Sequence, residues 1–292
     1  MTLDGLIDPV LQKYSIPMWV KPYVYDYVRK DPINAIKRAT SFIDVKRKKG
    51  VVTNSYVQLP NSIMFKMSSI IHMLSLFLYG TERTAKIAKA WSAKPDMKYR
   101  NYVDYYAGMV EVEERHARAT LNLIEGLGFK PREPTKEVVA VFDYLNGIMD
   151  WSKRIIATDL ILRSSYGDAF GLVFYKVFYF VMPEFMRSFG KAFTETEEQN
   201  KWGIKEAERV IAEHKVDNNQ LLEMSIELLC RIEKSINAEM PLADEAGIKK
   251  EAKLLKRISI AYPLHRLESL GAVSNVSKTE KEITSKAKKL KL

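Results

Sequence analysis

Glu113 and His116 are the residues whose types and spacing first suggest chemistry in this sequence. They lie three residues apart, so on a helix both side chains project to the same place. They share an apolar stripe at three- and four-residue spacing, formed by Tyr102, Tyr106, Met109, Thr120, Leu123 and Leu127. A carboxylate in a dry interior is costly unless it is paired, protonated or bound to a metal. The pair therefore indicates half of a carboxylate–imidazole metal site.

Glu82 is a third candidate ligand. It follows Leu78 by four residues on an earlier apolar stripe and lies 31 residues before Glu113. A turn near Pro95 would make the two helices antiparallel and bring Glu82 to the depth of Glu113. The alternative is an exposed pair with Lys86 one turn along the same helix, which would contribute only a few tenths of a kcal/mol.

Long helices are needed to position these residues, and the composition permits them because the chain has only 13 glycines and 11 prolines in 292 residues. Thirty helical residues span about 45 Å, which is typical of a helix bundle. No strand pair and no internal repeat is predicted. The patterns predict helices over about residues 62–91, 97–127, 135–166, 172–193, 196–215, 219–237 and 245–260.

Three segments are predicted along the chain. Residues 1–60 contain five prolines and form an irregular N-terminal arm packed on the body. Residues 61–270 form the helical domain, and residues 271–292 form a basic, flexible tail.

Composition and charge exclude several classes of protein. The single cysteine, Cys230, excludes an internal disulfide and a cysteine-based zinc site, and it fits a small core residue in a reducing cytoplasm. The most apolar stretch, residues 171–182, is too short for a membrane span and contains Lys176. The net charge of +10 comes largely from a run at residues 46–50 and from the tail. No aromatic residues interleave these runs, so nucleic-acid binding is not expected.

The arrangement of Glu82, Glu113 and His116, the last two within the run EVEERHARATLNLIEGLG, resembles the first half of the ferritin-like di-iron carboxylate superfamily. That superfamily includes ferritins, rubrerythrins, ribonucleotide reductase small subunits and bacterial multicomponent monooxygenases. The resemblance covers about residues 62–240. It implies an all-α, ferritin-like antiparallel bundle with additional helices, and a buried site for two iron ions, with manganese possible.

The family pattern continues with another acid and a second Glu-x-x-His motif. This sequence lacks the second motif, because neither His214 nor His265 follows a glutamate at that spacing. Later polar residues on predicted apolar faces are Asp159 and His214, and Glu184 is the one acid of a nearly all-apolar helix. With the first three residues they would supply the four carboxylates and two imidazoles of a di-iron site.

Structural roles are open for the same three residues. Asp159 could pair with Arg163, Glu184 could pair with Arg187, and His214 could be a satisfied core histidine.

The resemblance implies oxygen-dependent oxidase or oxygenase chemistry, with a small apolar substrate and an electron donor as partners. The expected assembly is a homo-oligomer, a dimer. The alternative is a non-catalytic, ferritin-like scaffold subunit with a degenerate site. In that protein the buried acids would be neutralised by arginines such as Arg115, Arg118, Arg163 and Arg187. Iron storage or peroxide scavenging ranks third, because the chain is long for a storage ferritin and lacks the cysteine-rich segment of rubrerythrins.

Overall fold

The computed structural model describes residues 56–59, 63–93, 100–171, 183–213, 216–245 and 249–291. Within these ranges the chain is helical apart from one short hairpin, so the coarse prediction of an all-α class is confirmed. The arm predicted over residues 1–60 and the apolar stretch over residues 171–182 lie almost wholly outside the described ranges. No helix in the described part is both long enough and apolar enough to cross a membrane.

The hairpin precedes the first helix. Strands β1 (Tyr56–Leu59) and β2 (Ile63–Lys66) pair antiparallel, with Tyr56 opposite Lys66 and Leu59 opposite Ile63. The prediction that the chain has no strand pair was therefore wrong. The signal for it was present, since two short runs rich in apolar and aromatic residues flank the turn-forming Pro60-Asn61 dipeptide.

Eight helices follow in the described ranges. They are α1 (Met67–Ser92), α2 (Arg100–Gly126), α3 (Lys136–Gly147), α4 (Trp151–Ile155, continued by a π-helix over Ile156–Gly171), α5 (Pro183–Ala212), α6 (Asn218–Glu245), α7 (Lys249–Ser269) and α8 (Val276–Lys289).

The predicted helix boundaries differ from the structure at several places. The first helix begins at Met67 rather than near residue 62, because residues 63–66 form β2. Helices α6 and α7 end at Glu245 and Ser269 rather than near residues 237 and 260.

The helix predicted over residues 135–166 is divided into α3 and α4, and Asp150 caps the second by accepting a hydrogen bond from the Lys153 amide at 2.8 Å. The break predicted near residues 194–196 is absent, because α5 runs without interruption through this region.

The predicted flexible tail is a helix instead. Asn275 caps α8 by accepting from the Lys278 amide at 2.9 Å, and Ile283 and Ala287 are buried. Lys234 of α6 also donates to the carbonyl of Leu290 just beyond α8. A regular apolar face within a lysine-rich sequence therefore indicates a docked helix rather than a frayed end.

The packing of α2, α4 and α5 surrounds the buried residues Glu113, His116 and Asp159. Helix α1 packs along α2, while α5 packs against both α2 and the π-helical part of α4. Helices α6, α7 and α8 pack on one another, and α7 also contacts the π-helical part of α4. Cys230 of α6 is buried, as predicted, and burial raises the pKa of its thiol to about 11.

Candidate functional site

The buried face of α2 carries the predicted pair. Glu113 is 6% exposed and His116 is 3% exposed, so the prediction that both lie on the apolar side of this helix is confirmed. The Thr120 hydroxyl donates to the carbonyl of His116 at 2.8 Å and therefore occupies no ring nitrogen. This bond holds the backbone carbonyl of His116 and involves neither Nδ1 nor Nε2 of the ring.

A carboxylate lies near each of these nitrogens. Glu113 Oε2 is 3.8 Å from His116 Nδ1, and Glu195 Oε2, from α5, is 3.8 Å from His116 Nε2. Nε2 is buried and has no hydrogen-bond partner among the described residues. Glu195 also contacts Arg115, with 2.5 Å between Oε2 and Nη2. We call Glu113, His116 and Glu195 the imidazole cluster.

Asp159 belongs to a second network. Its Oδ1 accepts from the Tyr105 hydroxyl and its Oδ2 from the Tyr106 hydroxyl, each at 3.0 Å. Arg163 Nε lies 3.1 Å from Oδ1. The predicted burial of Asp159 and its alternative pairing with Arg163 are both confirmed. Burial raises the pKa of Asp159 above its ordinary value, although Arg163 and the two tyrosine hydroxyls act in the opposite direction.

Gly203 of α5 packs directly against this second network. A methyl group at this position would lie 2.6 Å from Asp159 Oδ1 and 2.8 Å from the Tyr105 hydroxyl oxygen. Since atoms cannot approach that closely, only glycine lets α5 pack against the carboxylate in this way. Both oxygens of Asp159 are thus engaged, and one side is covered by backbone.

The remaining predicted ligands are Glu82, Glu184 and His214. Glu82 is exposed, and Thr81 continues the buried stripe between Leu78 and Ala85, so the predicted burial of Glu82 was wrong. The Thr81 hydroxyl donates to the Leu78 carbonyl at 2.9 Å, so this polar group is satisfied inside the protein. An unpaired carboxylate at the same place could not be satisfied in this way. The side chain of Glu184 and the whole of His214 lie outside the described residues.

Glu195 was missed by the sequence reasoning. It lies 36 residues after Asp159, a spacing similar to the 31 residues between Glu82 and Glu113, and this is the signal that could have found it. Its polar neighbours concealed it, because the run TETEEQ predicts a solvated helix start.

The predicted ligands whose side chains the structure describes, Glu82, Glu113, His116 and Asp159, therefore do not form one group. Among the described residues, no three histidine, cysteine, aspartate or glutamate side chains form a group that could hold a metal ion. The three members of the imidazole cluster do not form such a group because the two carboxylates flank opposite ring nitrogens and do not face a common point.

A cleft of about 690 Å³ lies away from both networks, where α3 and the start of α4 meet α6 and α8. It is lined by Tyr144, Met149, Glu223 and Lys286, among others, and by none of the residues of the imidazole cluster. The cleft is open and of mixed polarity, which is not typical of a ligand site. The candidate functional site is therefore assigned to the buried polar residues.

Comparisons with family models, with curated proteins and with solved structures give no match.

The buried tyrosines give this region a pH dependence that can be measured. Burial, together with the charge of Asp159, holds the pKa of Tyr105 and of Tyr106 well above 10.0. In the unfolded chain these phenols ionise near 10.0, so the unfolded state loses protons first and the stability that the buried phenols contribute declines as the pH rises past that value. We expect the melting temperature to fall between about pH 9 and pH 11.

The Tyr106→Phe variant tests the assignment. It should melt lower than the wild type at pH 8, because Asp159 loses a hydrogen-bond donor, and its melting temperature should decline less steeply at alkaline pH. Tyr262→Phe, in α7, is the control and should retain the wild-type slope. Equal slopes for Tyr106→Phe and the wild type would show that Tyr106 does not carry the effect.

Proposed function

We propose that this protein binds one iron or manganese ion at the imidazole cluster and is a metal-dependent oxidoreductase of the ferritin-like type. The observation that supports the proposal is the buried Nε2 of His116, which has no hydrogen-bond partner among the described residues and lies 3.8 Å from a carboxylate of another helix. Two ligands bound to one metal ion at about 2.0–2.2 Å are themselves roughly 3–4 Å apart. Imidazole and carboxylate together suit iron and manganese.

The protein residues have distinct parts in this proposal. Glu113 accepts a hydrogen bond from the Nδ1–H group of His116 after a small approach from 3.8 Å, which leaves Nε2 as the ligand atom. Glu195 exchanges its contact with Arg115 for the metal. The bound metal would supply the activation of dioxygen, with electrons from an external donor.

The resemblance implies a site for two metal ions, but the contacts of Asp159 favour a site for one. Both of its oxygens accept from tyrosines, and Arg163 neutralises its charge. A second ion at Asp159 would have to displace these three groups, so we propose a single ion.

A non-catalytic scaffold is the second candidate, and a specific observation favours it. Two acids of the region are paired with guanidinium groups, Asp159 with Arg163 and Glu195 with Arg115. If both pairs persist in solution, the acids are structural and no ion is bound.

Metal content per chain separates the two candidates. The protein is expressed in iron-supplemented medium and analysed for bound metal, together with the His116→Gln and Glu195→Gln variants. We expect about one ion per chain in the wild type and a loss of most of it in both variants. A folded wild-type protein that contains no metal would support the scaffold instead.

Two control variants identify the ligands. Glu82→Gln changes an exposed carboxylate, and His265→Gln changes an α7 imidazole that lies 3.1 Å from Glu268. Both should keep the wild-type metal content. Loss of metal in Glu82→Gln would show that the family spacing, and not the imidazole cluster, identifies the site.

A further inference from the structure

A row of exposed lysines lies along the outer side of α8. The helix packs on the protein through its apolar side, which includes Ile283 and Ala287. At about 100° per residue, four exposed lysines project from the opposite side of the helix. They are Lys278, Lys281, Lys288 and Lys289. The contact of α8 with α6 and α7 therefore turns these lysines outward together.

These four charges are not neutralised by neighbouring acids. None of the four lysines has an ion-pair partner within the described part of the chain. Glu282, at the edge of the row, is paired instead with Lys286 at 2.7 Å. Lys278 and Lys281 lie one turn apart, so they repel each other and weaken the helix. Since the charges of the row do not stabilise the fold, they indicate a partner outside it.

The row is held in place because α8 is anchored to α6. The Thr284 hydroxyl of α8 donates to Glu233 Oε2 of α6 at 3.1 Å. The row from Lys278 to Lys289 spans about 16 Å along the helix. The apolar side of α8 packs on the protein, so it cannot enter a lipid bilayer as the apolar side of an interfacial helix does. The outer side therefore offers charge alone, on a fixed support.

We propose that the outer side of α8 docks this protein on the surface of an anionic lipid membrane. A cluster of four or more lysines on one helix is attracted by the negative potential of such a surface, and each lysine contributes to binding. The ammonium group of lysine is a compact, hydrated charge that requires no fixed arrangement of its acceptors. Mobile lipid headgroups meet this condition.

Nucleic acid fits the same face less well. Helix α8 contains no arginine, whose planar fork binds the edges of bases in the major groove. It also contains no aromatic ring on which unpaired bases could stack. The face therefore matches a charged surface rather than a base sequence.

Binding to lipid vesicles tests the proposal. The full chain is sedimented with vesicles made of equal parts of phosphatidylcholine and phosphatidylserine, and with vesicles of phosphatidylcholine alone. We expect binding to the mixed vesicles only. This binding should weaken strongly when the salt concentration is raised from about 0.1 M to about 0.5 M, because salt screens exposed charges.

A fourfold lysine-to-glutamine variant removes the row. It carries the changes Lys278→Gln, Lys281→Gln, Lys288→Gln and Lys289→Gln. Its affinity for the mixed vesicles should fall at least about tenfold. Its melting temperature should be no lower than that of the wild type, because exposed charges that repel each other are removed.

A second fourfold variant is the matched control. It loses the same net charge at exposed lysines on α1, on α5 and in the segment after α2, through the changes Lys86→Gln, Lys89→Gln, Lys130→Gln and Lys205→Gln. Its affinity for the mixed vesicles should stay within about twofold of the wild type, because the row on α8 is intact.

Three results would overturn the proposal. The first is a wild type that does not bind the mixed vesicles, or that binds phosphatidylcholine vesicles equally well. The second is an α8 variant that binds as well as the wild type, or no more weakly than the control variant. The third is retention of the wild type by a DNA duplex of mixed sequence without binding to vesicles, which would assign the row to nucleic acid.

Discussion

Replacing Trp151 by alanine is expected to lower the free energy of unfolding by about 3–5 kcal/mol. Trp151 begins α4 and is 8% exposed. Its ring meets Trp91 edge-on, with 4.4 Å between the centroids, and lies 6.0 Å from the ring of Tyr106. Truncation would remove this large contact area and leave a cavity beside a tyrosine that holds Asp159.

Chemical denaturation measures the effect on Trp151. Trp151→Phe keeps an aromatic ring and should cost less than the alanine variant. Phe129→Ala is the surface control, because Phe129 is 37% exposed, and it should change the stability by about half a kcal/mol or less. If Trp151→Ala were no more costly than Phe129→Ala, the aromatic cluster would not support the site. A fall in bound metal in Trp151→Ala would further indicate that the packing positions the imidazole cluster.

The sequence predicted Glu113 and His116 well because their burial follows from local periodicity. The apolar stripe of α2 is regular, and every third or fourth residue on it points inward. The same reasoning failed for Glu82, because the residues three and four positions after Leu78 both lie near the buried face of the helix, and the spacing alone does not decide between them. Thr81 and Glu82 both satisfy the spacing, and burial favours the residue whose polar group is satisfied within its own helix.

Glu195 and Arg163 show what periodicity cannot supply. Glu195 comes from a polar stretch of α5, and it reaches His116 only because α5 packs against α2. The pairing of Arg163 with Asp159 follows from their four-residue spacing, whereas the influence of Glu113 on Arg163 depends on the approach of two helices. Contacts between helices depend on tertiary packing, which a stripe on one helix does not specify.

Gly203→Ala is the second variant with a large expected effect on stability. We expect it to lower the free energy of unfolding by about 1–3 kcal/mol, although alanine favours a helix over glycine by about 1 kcal/mol. The new methyl group would lie 2.6 Å from Asp159 Oδ1 and 2.8 Å from the Tyr105 hydroxyl. These atoms cannot move freely, because Tyr105 also donates to the backbone carbonyl of Gln199 at 3.2 Å and Asp159 is held by Arg163. Relief would require α5 to move away from α4.

Gly108→Ala is the matched control, since Gly108 is exposed within α2 and its added methyl group would meet nothing within 4 Å. It should stabilise the protein by up to about 1 kcal/mol through helix propensity alone. The two glycine variants should therefore change stability in opposite directions in the same denaturation experiment. If Gly203→Ala also stabilised the protein, α5 would not pack closely against Asp159. That carboxylate would then have an open side, and only the two tyrosines and Arg163 would keep a second ion away from it.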